Sequence, residues 1–267
     1  MTRLARCLAP AFAVVLLLFA VGCNGDPPPN VQIEVGDRSD EIPDVQTEIV
    51  APEDGDLLEE PDTSVVVSVE NFEIGALTET MRAETIADSP DGQHTHVVIN
   101  NEPYQANYEN DEPFDVGVLE EGPNTIFVFA SRSYHESVKG ADAYDMVNVY
   151  VGEEEGDFML EPDDEAAIYS RPTGTYSGAD AERVMIDFYL HNVELSEDGH
   201  HVHYAVHDAD AEGDEPLASV TMTEWTPAFV TGLEPGTYTV AMELRDEEGN
   251  VVPGEFNSTQ EDVEITE

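Results

Sequence analysis

The sequence has very few basic residues and a large excess of acidic ones. Nine Lys and Arg residues stand against 59 Asp and Glu residues in a chain of 267, giving a formal net charge of −50. Nucleic-acid binding needs clustered Lys and Arg to contact phosphates, so this charge excludes most of it. The charge also predicts strong self-repulsion that salt screens, which favours adaptation to a very saline habitat. Multisite calcium binding is the alternative explanation of the acidic surface.

Cysteine is nearly absent, and both cysteines lie near the N-terminus. Cys7 precedes an apolar run over residues 11–21, which is too short to span a bilayer because spanning needs about 20 apolar residues. The basic residues before this run, followed by the run itself, are typical of a secretory signal, which we assign to residues 1–22. After its removal the chain has no disulfide, so its stability must come from packed cores.

The end of this predicted signal resembles the lipobox of bacterial lipoproteins. It reads Ala20-Val-Gly-Cys23, with small residues beside the cysteine, although Leu is more usual where Ala20 stands. The resemblance implies that Cys23 carries diacylglycerol and anchors the chain to a membrane of the cell envelope, facing the periplasm or the exterior. An ordinary secreted protein that is cleaved nearby is the alternative.

The rest of the chain divides into a polar segment and two copies of one domain. We predict a disordered tether over residues 23–45, which are rich in Pro and acidic residues, a first domain over 46–152, a linker over 153–164 and a second domain over 165–267. Three motifs recur in the same order. Val65–Ile74 matches Ile186–Leu195, Asp91–Asn100 matches Asp198–His207, and Leu119–Gly122 matches Leu233–Gly236.

Each copy has the pattern of an all-β domain. Val65, Val67 and Val69 alternate with polar neighbours, as expected of a strand with one buried face. Glycine- and proline-containing turns separate such runs. About six or seven short strands in roughly 100 residues predict two tandem immunoglobulin-like β-sandwich domains. The cysteine pair and tryptophan of antibody domains are absent, so the prediction concerns the architecture alone.

Histidines recur on one face of the same predicted strand in both copies. His94 and His96 alternate with apolar residues in the first copy, and His201 and His203 do so in the second. The apolar face must cover the core, so we expect the imidazoles to point outward. A His-x-His pair can chelate a transition metal such as Cu or Zn, but a third ligand must come from elsewhere. The second pair is the weaker candidate.

The segment Ser131–Lys139 contains a candidate third ligand in the first copy. It contains His135, with Arg132 and Lys139 on either side. In one interpretation His135 completes a three-histidine metal site. In another, Arg132 and Lys139 bind an anionic group beside the His-x-His pair. In a third, the segment is a hairpin whose basic residues pair with nearby carboxylates.

These motifs in combination resemble a group of uncharacterised bacterial exported proteins. The combination is Gly-x-His-x-His before an apolar strand, Asn-x-Pro-Tyr104, Leu-x-x-Gly and the segment Ser131–Lys139. The resemblance covers residues 47–152 well and the second copy loosely. It implies an immunoglobulin-like fold and an exported location, and it brings no established activity. Tyr104, which lies within this combination, is a candidate ligand-binding residue together with Arg132 and Lys139.

Several enzyme and ion-binding motifs are missing from the sequence. There is no Gly-x-Ser-x-Gly elbow and no glycine-rich phosphate loop. Residues His135–Lys139 match only half of the zinc-protease motif His-Glu-x-x-His. The acidic run Asp208–Gly213 begins like a calcium loop, but Ser219 stands where the twelfth-position Glu is required.

We therefore predict a membrane-anchored lipoprotein that is not an enzyme and has a binding or structural role. Its ligand would be a transition metal or a protein partner in the envelope or at the cell surface, and it would not bind nucleic acid. A metal-dependent hydrolase or redox enzyme that uses His94, His96 and His135 is one alternative. A structural spacer in which the histidines have no role is the other.

Overall fold

The computed structural model describes residues 30–211, 213 and 215–267. These residues form two β-sandwich modules in tandem, which confirms the predicted all-β, immunoglobulin-like architecture. The predicted signal at 1–22, Cys23 and the start of the predicted tether lie outside the described residues. Within the described part of the chain, no helix combines the length and the apolar character needed to cross a bilayer.

The first described strand belongs to the second module. Strand β1 (Gln32–Val35) pairs antiparallel with residues 228–231. The prediction of a disordered tether over 23–45 is therefore wrong for this strand. Val31 and Ile33 pack on the core of the second module, while Gln32 and Glu34 are exposed, so a mostly polar segment still has one apolar face to bury.

The first module contains eight strands in two sheets. They are β2 (Gln46–Ala51), β3 (Leu57–Leu58), β4 (Asp62–Glu70), β5 (His94–Ile99), β6 (Gln105–Asn107), β7 (Pro113–Val118), β8 (Gly122–Ser131) and β9 (Tyr144–Val151). One sheet has the order β2-β4-β7 and the other β3-β9-β8-β5-β6. The core lies between them. Val65, Val67 and Val69 of β4 face this core, as their alternation predicted.

The second module repeats this arrangement with one sheet of four strands and one of five. Its elements are β10 (Ala166–Arg171), β11 (Gly174–Ser177), the short helix α1 (Ala179–Glu182), β12 (Val184–His191), β13 (His201–Asp208), β14 (Ala218–Met222), β15 (Ala228–Thr231), β16 (Gly236–Arg245), a 3₁₀ turn (Glu255–Asn257) and β17 (Ser258–Thr266). The sheets have the orders β1-β15-β12-β10 and β11-β17-β16-β13-β14. Ile186 and Phe188 of β12 lie in the core between them.

The two modules pack sheet against sheet. Phe127 and Phe129, on the outer face of β8, join an apolar cluster with Ile168 and Tyr189 of the second module. Strand β12 is consequently buried on both faces, because its even-numbered residues fill its own core and its odd-numbered residues face the first module. An extensive apolar contact of this kind fixes the relative position of the side chains on either side of it.

The scarce basic residues concentrate at this junction. Of the seven Lys and Arg residues in the described chain, six contact another module or the N-terminal segment before β2, and these are Arg38, Arg82, Arg132, Lys139, Arg171 and Arg183. The seventh, Arg245, pairs with Glu243 inside the second module. The cations thus offset the acidic character of the chain where its parts meet.

Candidate metal centre

Three histidines of the first module converge at the junction. His94 and His96 lie on the outer face of β5, and His135 lies in the turn that follows β8. The turn closes through the His135 N–H, which donates to the Arg132 carbonyl at 2.8 Å, and His135 has a positive φ of 67°. Since Ser131 at the end of β8 is opposite His94 in the sheet register, the turn delivers His135 directly beside His94.

The ligand nitrogens of these histidines lie at distances suited to one metal ion. His94 Nε2 lies 3.0 Å from His96 Nε2 and 3.2 Å from His135 Nδ1, and the three nitrogens all lie within 4.8 Å of one another. Bonds of about 2.0–2.1 Å to a tetrahedral metal place neighbouring ligand nitrogens about 3.3 Å apart. Among the described residues this is the one group of three or more His, Cys, Asp or Glu side chains with such spacing.

The site is more deeply buried than the sequence indicated. His94 and His96 point away from the core of the first module, as predicted, but both are 0% exposed, and the sequence did not predict this burial. The second module covers that face of the sheet. His135 is half-buried and marks the side of the cluster nearest to solvent.

Burial keeps these imidazoles neutral. Desolvation is the main cause that lowers the pKa of His94 from 6.5 to about 4, and a smaller contribution comes from the positive charge of Arg171. Desolvation likewise lowers the pKa of His96 and of His135 well below the ordinary value. A neutral imidazole offers a nitrogen lone pair, and this is the form in which histidine binds a metal.

The nitrogens on the far side of the two buried rings have partners that orient them. His94 Nδ1 lies 2.9 Å from the Gly92 carbonyl, to which its N–H donates, so its Nε2 lone pair faces the cluster. Gly92 has a φ of +89°, and a Cβ there would lie 2.4 Å from the Gly75 carbonyl oxygen, so the position requires glycine. His96 Nδ1 lies 3.1 Å from Ser170 Oγ, which comes from the second module. Such partners fix ring orientation and tautomer at metal sites.

Tyr104 and Arg171 complete the surroundings of the cluster. The Tyr104 ring stacks on His96 with centroids 3.5 Å apart and an interplanar angle of 6°, and its hydroxyl lies 3.5 Å from His135 Nδ1. Arg171 Nη1 donates to the same hydroxyl at 3.0 Å. Tyr104 therefore lies at the predicted site. Ser170 and Arg171 were missed because they follow no motif and belong to the other module.

Arg132 and Lys139 do not serve as a free anion-binding pair. Arg132 Nη2 donates to the Asp40 carbonyl at 2.6 Å, and Lys139 Nζ donates to Asp187 Oδ1 at 2.6 Å. Both basic side chains are buried and their donors are engaged within the protein. The predicted ligand-binding role of these two residues is therefore corrected: the segment is a structured hairpin whose basic groups have internal partners.

The second-module histidines do not form an equivalent cluster. His201 Nδ1 lies 3.2 Å from the Gly199 carbonyl and His203 Nδ1 lies 3.3 Å from Thr221 Oγ1. Both side chains are partly exposed, and in the described chain no third ligand joins them. The turn that carries His135 in the first module is replaced here by an acidic turn after β16, so the pair lacks the residue that would complete it.

Comparisons with known proteins give a broad structural likeness only. No protein-family model matches the chain, and no curated protein matches it. It is similar to the fibronectin(III)-like modules of Clostridium thermocellum CbhA (10% identity, 83% of this chain and 94% of that one, TM-score 0.27). It is also similar to the D00-D0 domain of intimin (11%, 84% and 100%, 0.23) and to chicken CNTN1 FN1-FN3 domains (10%, 82% and 68%, 0.26). At these TM-scores the likenesses carry no functional inference.

Proposed function

We propose that the cluster of His94, His96 and His135 binds a transition metal, Cu or Zn, at the junction of the two modules, and that the protein has a binding role. One observation supports the proposal: three imidazole nitrogens from two separate chain segments converge, with two of their mutual distances at 3.0 and 3.2 Å and all of them within 4.8 Å, as ligands of a single metal ion would. Imidazole-only ligand sets suit Zn and Cu better than the oxygen-seeking ions Ca²⁺ and Mg²⁺.

The sequence features of the N-terminus supply the proposed location. The apolar run over 11–21 and the lipobox resemblance ending at Cys23 favour an extracytoplasmic lipoprotein anchored in the cell envelope. The full sequence has a net charge of −50, and this acidic surface repels anionic head groups, so we expect a covalent lipid to make the contact with the membrane. An envelope or surface protein is the proposed partner class, and nucleic acid is not.

Calorimetric titration tests the metal site directly. Cu(II) and Zn(II) are titrated separately into the purified chain from residue 24 onward, in molar chloride salt, beside His94→Ala/His96→Ala and the matched control His201→Ala/His203→Ala. We expect one equivalent of at least one ion to bind with sub-micromolar affinity in the wild type and in the control, and to be lost in the first variant. Absent binding, or binding unchanged by His94→Ala/His96→Ala, would refute the proposal.

A metal-dependent hydrolase or redox enzyme is the second candidate function. Three protein ligands leave a fourth coordination position, which is the arrangement of catalytic zinc sites, and His135 lies on the partly exposed side. The Zn-loaded protein is assayed against an activated ester and the Cu-loaded protein for ascorbate oxidation by O₂. Turnover above the level of His94→Ala/His96→Ala would favour this candidate over a binding role.

A further inference from the structure

Arg171 is a buried cation beside the histidine cluster. It ends β10, and a break in the β10–β12 register between Tyr169 and Arg171 interrupts the regular alternation of the strand at this point. Such bulges change the direction of a side chain. Its guanidinium reaches Tyr104 of the first module, although Arg171 itself is only 7% exposed.

This guanidinium has no carboxylate partner among the residues that the structure describes. Arg171 forms no ion pair with any Asp or Glu of the described residues, in a chain that contains 59 of them. Its Nε is buried with no hydrogen-bond partner among the described residues, and its guanidinium carbon lies 5.3 Å from the centroid of the Tyr176 ring. Buried charges are normally paired, because an unpaired one loses its hydration without compensation.

The position of Arg171 makes the charge of the metal site unbalanced. The Tyr104 hydroxyl lies 3.0 Å from Arg171 Nη1 and 3.5 Å from His135 Nδ1. A single hydroxyl group therefore links the guanidinium to a proposed ligand nitrogen. The three imidazoles bring no negative charge. A divalent ion bound there would face a second cation across the neutral Tyr104 hydroxyl, with no negative charge beside either, whereas one anion that contacts both would satisfy both.

We propose that the site binds its metal together with a small carboxylate. One carboxylate oxygen would take the fourth position on the metal, and the other would accept hydrogen bonds from Arg171. The planar guanidinium fork matches a planar two-oxygen anion, which favours a carboxylate over a spherical ion such as chloride. This inference rests on the proposed metal site, and it names the ligand class that the site would take.

Formate binding to the Cu(II)-loaded protein tests the inference. The visible and EPR spectra of the bound copper are followed as sodium formate is added, in perchlorate salt because that anion coordinates weakly. The variants are Arg171→Met, which removes the charge, Arg171→Lys, which keeps the charge without the fork, and Arg245→Met, a control at the far end of β16. Copper affinity is measured for each protein without formate.

We expect saturable spectral changes in the wild type and in Arg245→Met. Arg171→Met should weaken formate binding by at least about tenfold, the loss of a charge-assisted hydrogen-bonded pair, and Arg171→Lys should fall between them. Copper affinity without formate should be equal or tighter in Arg171→Met, since a repelling charge has gone. If Arg171→Met does not fold, the comparison with Arg171→Lys carries the test.

Two results overturn the inference. One is a copper-loaded wild type whose spectra do not respond to formate, and the other is formate binding that is equally tight in the wild type and the Arg171 variants. Either result leaves the three-histidine metal site intact, because copper is bound in both cases. A wild type that binds no copper would instead remove the proposed function, and this inference with it.

Discussion

Lys139 and Asp187 form an ion pair across the two modules. Lys139 Nζ lies 2.6 Å from Asp187 Oδ1, and the two side chains are 1% and 0% exposed. The Ser137 N–H donates to the other carboxylate oxygen at 3.0 Å, and Lys139 Nζ also donates to Ser137 Oγ at 2.8 Å. The only lysine of the chain is therefore used to neutralise a carboxylate on the strand that is buried on both faces.

Replacing Lys139 by Met should strongly destabilise the protein. The change leaves Asp187 buried without a counter-ion, and breaking a buried pair from one side costs about 3–5 kcal/mol. Urea unfolding followed by circular dichroism gives the free energy of unfolding. The double variant Lys139→Met/Asp187→Leu should be more stable than Lys139→Met alone, because it removes the isolated charge as well as the pair.

A matched control is Arg245→Met, which removes a partly exposed pair with Glu243 inside the second module. Pairs near the surface contribute about 0–1 kcal/mol, so this variant should stay close to the wild type. A Lys139→Met protein that loses less than about 1 kcal/mol would contradict the role assigned to the buried pair.

Ser170 should tune metal affinity without contacting the metal. Its Oγ lies 3.1 Å from His96 Nδ1, so it holds the ring of a proposed ligand from the second module. Losing such an orienting partner typically weakens metal binding about 10- to 100-fold. We expect Ser170→Ala to reduce Cu(II) or Zn(II) affinity by that factor while the stoichiometry stays at one, measured by competition with a chelator.

The control for this variant is Thr221→Ala, because Thr221 Oγ1 lies 3.3 Å from His203 Nδ1 in an equivalent relationship outside the cluster. It should leave metal affinity unchanged. Equal affinities for wild type and Ser170→Ala would show that Ser170 does not orient His96.

The stability of the metal-free protein should depend on pH through His94. Its pKa is lowered from 6.5 to about 4 in the folded state, so below pH 6.5 the unfolded chain binds a proton that the folded chain does not. The stability that the protein gains from keeping His94 neutral is therefore fully present above about pH 6.5. As the pH falls toward 4, the free energy of unfolding should decrease by about 3 kcal/mol through this group. The charged or titratable groups around the His94 ring are His96, His135, Tyr108 and Arg171.

His94→Asn isolates this effect from the many surface carboxylates. The free energy of unfolding is measured from pH 7 to pH 4 in the presence of a chelator, and the difference between wild type and variant should shrink as the pH falls. A His94→Asn difference that is independent of pH would contradict the assignment.

Local patterns were enough to predict the sandwiches, and they were enough to select the histidines. The alternation of Val65, Val67 and Val69 reports a half-buried strand, and the spacing of His94 and His96 puts both rings on one face of a strand. These properties depend on a few neighbouring residues. The third proposed ligand, His135, could also be predicted from the sequence, because its turn directly follows β8, the strand that pairs with β5.

The packing of one module on the other could not be predicted in the same way. It depends on odd-numbered residues of β12, such as Asp187 and Tyr189, whose partners are distant in sequence. The burial of His96 and the contributions of Ser170 and Arg171 follow from that packing. The alternating apolar and polar residues of β12 predict one buried face, and only the fold shows that its polar face is buried too.

The segment between β1 and β2 offers a test of the predicted flexible tether, because in the structure this segment packs against the first module. Ser39 N–H donates to Glu136 Oε1 at 3.0 Å, Ser39 Oγ donates to Glu136 Oε2 at 2.6 Å, and Arg38 donates to the Lys139 carbonyl. We expect native protein to resist trypsin cleavage after Arg38, because a protease must pull several residues out of this contact. Glu136→Gln, which weakens the acceptor for Ser39 and Arg82, should be cut there faster, and urea-unfolded protein fastest. Mass spectrometry identifies the cut site. Cleavage of native protein at the unfolded rate would show that these contacts do not persist in solution, and that the segment behaves as the flexible tether its composition indicates.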